Sequence, residues 1–183
     1  MRVRTAAGEL VGPSSPLVFD VNLYGCCWMA EAFARACSNG GFIINIPSVI
    51  GLRSSPLPQA AYACSKAALI GLTRDLDPQW SVRKGVRVTA RTPGFFESEM
   101  TSAHEADVLA AIASSAPLGR IGRLDDLAAT IVWLASDASS YTTGATTRVD
   151  GGLVMYSRSK RRLVTQGSPS TRDVPDRAPE APR

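Results

Sequence analysis

The segment AAYACSKAAL, residues 60–69, places Tyr62 four residues before Lys66. On a helix that spacing puts both functional groups on one face. A phenol titrates near pH 10 and is a poor acid or base at neutral pH. An ammonium about 5 Å away, at an effective dielectric of about 20, favours the phenolate by roughly 3 kcal/mol, about two pKa units before desolvation is subtracted. Such a tyrosine can give a proton to a carbonyl or take one from an alcohol. A Tyr-x-x-x-Lys spacing alone recurs by chance, so its meaning rests on its neighbours. Ser48 closely follows the apolar run FIINI and lies 14 residues before Tyr62, where its hydroxyl can hold a substrate oxygen. Asn22 opens the helix upstream; its amide can hold a water or backbone group near the lysine, or cap that helix. Further on, PGFFESEM supplies a turn whose backbone can approach a flat ring, with Ser98 as a hydrogen-bonding partner.

The elements that must position these residues alternate. Helical spacing of Leu23, Cys26, Cys27, Ala30, Phe33, Ala34 and Cys37 predicts a helix over about 22–37, ended by the glycines of SNGG. FIINI, continuous and β-branched, reads as a strand buried on both faces, as in a parallel sheet. It ends at the carboxyl edge where open α/β sheets bind ligands, which is where Ser48 falls. A second helix over about 61–76 presents Leu69, Ile70, Leu72, Thr73 and Leu76. GVRVTA is a second strand, HEADVLAAIA a short helix, and LDDLAATIVWLAS a longer one whose Asp125 and Asp126 suit the positive end of a helix dipole. GATTRVDGG closes with a third strand and a turn. The alternation predicts α/β architecture with right-handed crossovers.

Composition narrows the classes. At 183 residues with 45% apolar content, one domain with a real core is expected. The net charge of +4 resides in the tail, where residues 157–183 hold seven Lys/Arg against three Asp/Glu. The body is neutral and makes no case for nucleic acid. Cys26, Cys27, Cys37 and Cys64 match neither a zinc or redox CxxC nor a secreted disulfide scaffold, and predict reduced, mostly buried thiols in a cytoplasmic protein. His104 is the only histidine, and no metal site is expected. No apolar run reaches the ~20 residues of a membrane helix, and the start has no signal-peptide stretch. Residues 1–16 read as a disordered leader, 17–156 as the domain, and 157–183 as a disordered, basic, proline-rich tail.

VNLYG, IINIPSVIG, YACSKAAL, VRVTARTPGFFESEMT, PLGRIGRLDDLAATIVWLASDASSYTTG and VDGG follow one another with the order and spacing of the short-chain dehydrogenase/reductase family. Over residues 17–153 the chain resembles that family, and within it the ketoacyl-carrier-protein reductases and the sugar or polyol dehydrogenases. The resemblance implies the last three strands of a Rossmann-type, doubly wound parallel sheet with flanking helices. It implies hydride transfer between NAD(P)H and a small carbonyl substrate, or the reverse from a secondary alcohol, with NAD or NADP as cofactor. Tyr62 would be the proton donor or acceptor, and Lys66 would assist it while holding the nicotinamide ribose. Ser48 would orient the substrate carbonyl and Asn22 would complete the proton relay. Pro93, Gly94, Phe96 and Ser98 would border the nicotinamide, and assembly as a dimer or tetramer would follow.

The chain departs from the family at one end. No GxxxGxG or GxGxxG occurs, so the Gly-rich turn that cradles a pyrophosphate is absent. About 90 residues of the expected fold are missing on this reading, which would leave FIINI as an exposed apolar edge. Arg91, Thr89, Pro47 and Pro78 also stand where the family has other residues. The alternative is therefore a catalytically inactive truncated remnant that acts at most as an interaction or dimerisation module. A hydrolase is more distant, since Ser48 lies in no GxSxG and His104 has no expected proximity to it.

Overall fold

The structure is a computed structural model and describes residues 15–54, 59–98, 101 and 106–155. The leader up to residue 14, His104 and the tail from 156 lie outside the described residues. Three parallel strands, β1 (Gly41–Asn45), β2 (Val86–Pro93) and β3 (Thr146–Val149), form one sheet in the order β1-β2-β3. Gly41 pairs with Val86 and Asn45 with Ala90; Ala90 pairs with Thr146 and Pro93 with Val149. The helices are α1 (Ser15–Phe19), α2 (Gly25–Ala36), α3 (Ala60–Lys84), α4 (Ala106–Ser115) and α5 (Leu124–Leu134).

The first helix differs from its sequence expectation. It is already helical at Ser15 rather than from 22, and a π-helical turn, Asp20–Tyr24, joins α1 to α2. Asn22 therefore sits inside a π turn and caps nothing. The left-handed glycine of SNGG, Gly40, lies beyond the helix end and packs against the Gly85 carbonyl, while the cap residue Cys37 is extended. Helix α3 runs to Lys84, through Pro78, and ends at Gly85, whose φ of 64° is the left-handed cap. Proline at 78 forfeits one intrahelical bond without breaking the helix.

The core lies between α3 and β2. Val86, Val88 and Ala90 are fully buried, and α3 presents Ala61, Ser65, Leu69 and Thr73 to them at a spacing of four. That buried stripe is half polar, where periodicity predicts Ile70, Leu72 and Leu76, which end up half-buried. Asn45 Nδ2 donates to Thr73 Oγ1 at 2.9 Å and Thr73 Oγ1 to the Leu69 carbonyl at 2.9 Å, so these two buried side chains are satisfied. Residues of β2 that alternate with these face α5: Arg87 donates to the Leu134 and Ser136 carbonyls, and Arg91 lies against Thr130 and Trp133.

Helices α3 and α5 thus cover opposite faces, although both crossovers step the same way along the sheet. Two such crossovers have opposite hands, so the expectation of right-handed connections fails for one of them. The rule is strongest where a strand feeds directly into its helix. Here a long segment, 94–123, intervenes between β2 and α5.

Strand β1 is an edge. Phe42 is 43% exposed and only Asn45 is buried, so the run FIINI is not covered on both faces but forms the open edge expected from the missing neighbours. The cysteines are free; Cys26, Cys27 and Cys37 are half-buried and Cys64 is exposed, which corrects the expectation of mostly buried thiols.

Candidate active site

Strands β1 and β2 end side by side, since Asn45 pairs with Ala90, and both loops that leave them start at the same carboxyl edge. One carries Ser48 and the other the Pro93-Gly94 turn. Ser48 is buried and extended, and caps the 3-10 turn Val49–Gly51 by accepting from the Ile50 N–H at 3.2 Å. Among the described residues its hydroxyl proton is not otherwise engaged, so it can donate. Gly51 fixes this turn on α3: a Cβ there would lie 2.8 Å from Ala67 N and 3.0 Å from the Lys66 carbonyl oxygen. Only glycine permits that approach.

Tyr62 and Lys66 stand on the first turns of α3, one turn apart, both half-buried. Lys66 Nζ lies 5.7 Å from the Tyr62 ring centroid and donates to the Ile46 carbonyl at 3.1 Å. That bond ties the ammonium to the strand end that leads into Ser48. Burial pushes the Lys66 pKa below its ordinary value, with the neighbouring Cys26 thiol acting in the opposite direction.

Asn22 reaches the same helix by a different route from the relay. Its Nδ2 donates to Ser65 Oγ at 3.1 Å, and Ser65 Oγ donates to the Tyr62 carbonyl at 2.8 Å. Ser65 is completely buried. Asn22 thus locks the π turn onto α3 beside Lys66 without bonding Lys66 itself. Ser65 is a site residue that the Tyr-x-x-x-Lys pattern does not single out, although its place one residue before the lysine puts it on the buried side of the same turn.

The residues after β2 divide. Gly94 donates to the Val149 carbonyl at 2.9 Å, and a Cβ on it would meet Asp150 Cα at 2.9 Å, so the Pro93-Gly94 turn is pressed against β3. Phe96 is buried, pairs with Gly122 in a β-bridge and stacks its ring on that glycine. With Ile112, Leu118, Ile121 and Leu153 it lines a cavity of about 190 Å³. Ser98 is exposed and closes a small turn with Thr101: its N–H donates to Thr101 Oγ1 at 2.8 Å, and Thr101 Oγ1 donates to the Phe96 carbonyl at 2.6 Å. Ser48 and the Pro93-Gly94 turn leave the same carboxyl edge, to which Lys66 is tied through Ile46, while the Phe96 and Ser98 side chains are engaged elsewhere. Among the described residues there is no cluster of three His, Cys, Asp or Glu able to hold a metal, and no helix long and apolar enough to cross a membrane.

A parallel α/β sheet with helices on both faces defines a Rossmann-type, doubly wound protein, and its carboxyl edge meets the Tyr-Lys pair on the crossing helix. A family model described as enoyl-(acyl carrier protein) reductase matches residues 13–154. The chain belongs to the short-chain dehydrogenase/reductase family. It is 41% identical over 140 residues to the 3-oxoacyl-[acyl-carrier-protein] reductase FabG of Rickettsia felis, a match covering 75% of this chain and 57% of that relative. The chain therefore spans little more than half the length of that curated relative. Among solved structures it is similar to a 4-hydroxyisoleucine dehydrogenase complexed with NADH, with a TM-score of 0.77 and 29% identity over 86% of this chain and 66% of the other. A putative 2-deoxy-d-gluconate 3-dehydrogenase from Agrobacterium tumefaciens with bound NADP gives a TM-score of 0.77 and 32% identity over 85% and 64%.

Proposed function

We propose that this chain supplies the proton-transfer half of an NAD(P)(H)-dependent oxidoreductase that reduces a small carbonyl compound or oxidises a secondary alcohol. The observation that carries the reading is the Lys66 ammonium held over the Tyr62 ring, 5.7 Å from its centroid, and anchored to the Ile46 carbonyl at the strand end next to Ser48. The known relatives support it, because their names describe reductases and dehydrogenases and two solved neighbours hold NADH or NADP.

In this reading the Tyr62 hydroxyl donates its proton to the carbonyl oxygen of the substrate, and the Ser48 hydroxyl, free to donate, holds the same oxygen. Lys66 stabilises the negative charge left on the tyrosine oxygen. Asn22 completes the set by fixing the π turn to Ser65, which keeps α2 against the turn that bears Tyr62 and Lys66. The nicotinamide end of a dinucleotide fits these residues. Lys66 spends one of its three donors on Ile46, which leaves others for ribose hydroxyls, and the glycine at 94 lets backbone come close to a planar ring. Pro93 and Gly94 border the ring through their backbone, with Phe96 and Ser98 shaping the turn behind them. Bound there, the nicotinamide supplies or accepts the hydride. The nicotinamide end is the part these residues would hold, because residues 1–183 include no Gly-rich turn for the pyrophosphate end.

Self-association agrees with the exposed apolar row of Leu17, Val21, Tyr24 and Trp28 along the first helices. Titration of the 183-residue protein with NADH and with NADPH, followed by the fluorescence of Trp28, Trp80 and Trp133 and by thermal unfolding, tests the reading. Quenching and a raised melting temperature with either cofactor are expected. No response to either removes the solo enzyme and leaves the inactive interaction module.

A further inference from the structure

We propose that Arg53 is a positioning residue for this site, holding the turn that carries Ser48 against the turn that follows β3. Its catalytic consequence rests on the oxidoreductase reading; its structural consequence does not. Arg53 Nη1 donates to the Leu153 carbonyl at 2.7 Å, across 100 residues of sequence, and Nε donates to the Ser54 carbonyl at 3.3 Å. The backbone N–H of Arg53 donates to the Val49 carbonyl at 3.1 Å, beside the Gly51 to Ser48 bond at 2.9 Å. A single residue thus closes the helical turn behind Ser48 with its backbone and reaches the opposite loop with its side chain.

The opposite loop is built to receive it. Leu153 is buried, and its N–H donates to the Asp150 carbonyl at 3.1 Å. The Asp150 carboxylate accepts from Gly152 N at 3.0 Å and Val154 N at 2.9 Å, so the turn presenting the Leu153 carbonyl is internally fixed. Asp150 in turn abuts Gly94, where a Cβ would come within 2.9 Å of its Cα. The contacts run without a break from the Ser48 turn through Arg53, Leu153 and Asp150 to the Pro93-Gly94 turn. Among the described residues no other side chain bonds the 48–54 turn to the 150–155 turn. Beside the β1–β2 ladder and the packing of Gly51 on α3, one charged hydrogen bond, of the stronger kind, thus ties the Ser48 turn to the loop against which Gly94 rests.

Hydrogen exchange on the full chain and on Arg53→Gln tests this. Amides of 48–53 and 150–154 should exchange about tenfold faster in the variant while α3 and β2 keep their protection. Arg53→Lys, which retains a cationic donor, should restore part of the protection. Unchanged exchange in both turns overturns the proposal, and so does acceleration spread equally over α3 and β2. In turnover, Arg53→Gln should lower kcat about tenfold with cofactor affinity held within about twofold, as expected when a bound group is misplaced rather than lost. A weakened cofactor affinity with unchanged kcat contradicts the positioning role. If the unmodified chain binds no nicotinamide, the oxidoreductase reading fails and the exchange result alone decides on Arg53.

Discussion

On the face of the sheet that α3 covers, buried polar groups meet partners: Asn45 bonds Thr73, Thr73 bonds the Leu69 carbonyl, and Ser65 links Asn22 to the Tyr62 carbonyl. On the face under α5, Arg91 is only 5% exposed, its Nε has no partner, and its one hydrogen bond, to the Thr130 carbonyl, is 3.5 Å long. Its guanidinium lies 6.0 Å from the Trp133 ring centroid. Arginine as such is not the cause, because Arg87 on the same face makes five hydrogen bonds, to Leu134, Ser136, Ser139 and Thr142. Arg87 sits where α5 ends and its last carbonyls are unpaired, whereas Arg91 meets the middle of the helix, where carbonyls already have intrahelical partners. The face that positions Tyr62 and Lys66 is the more finished one, with Ser15 Oγ on α1 as the buried side-chain atom there that lacks a partner among the described residues. A site tolerates little error in its supporting bonds, while a remote face can carry an unsatisfied charge at a cost in stability.

The contrast can be broken by substitution. The largest expected effect is on the finished face: Ser48→Ala should lower kcat about 100-fold, as loss of one donor to a developing oxyanion does, and lower the melting temperature by a few degrees through loss of the cap on the Ile50 N–H. Asn45→Ala should destabilise by about 2 kcal/mol in urea unfolding, since it leaves Thr73 short of a buried partner. Arg91→Leu should act in the opposite direction and stabilise by about 1 kcal/mol, because an apolar side chain replaces a buried, poorly paired charge. The smallest effect is a pH dependence at Lys66, whose pKa burial holds below its ordinary value. Between that lowered value and about 10.4 the unfolded chain binds a proton that the folded chain does not. Stability from this group therefore rises with pH across the window, and the slope should flatten in Lys66→Met when urea midpoints are compared from neutral pH to about pH 10.

Much of the finished face was legible in the sequence, and the reasons differ by residue. Tyr62 and Lys66 are four apart, a spacing that any helix converts into one face, and Ser48 follows a short β-branched run between glycine and proline, which reads as a strand. Asn22 reads as a helix start because helical periodicity begins with Leu23, while the described helical segment already runs from Ser15 and carries Asn22 inside its π turn. The apolar face of α3 gives out after Leu76, whereas the helix continues to Lys84 and Gly85 carries the stop. Phe96 and Ser98 illustrate a different limit. Their proximity to the turn was readable, but the engagement of Phe96 with Gly122 and of Ser98 with Thr101 depends on contacts that no local pattern encodes. The open edge at β1 followed from counting strands, yet the run FIINI alone reads as fully buried, because an edge strand and a central strand of a parallel sheet share the same apolar composition.

The central claim is that Tyr62, supported by Lys66, exchanges the proton. Its most direct test is the oxidation of NADH or NADPH by the 183-residue protein with a panel of small ketones, compared with Tyr62→Phe. The account predicts turnover in the unmodified chain, a loss of at least about 100-fold in the variant, and nearly unchanged cofactor binding by tryptophan fluorescence. Equal turnover by both proteins would contradict it.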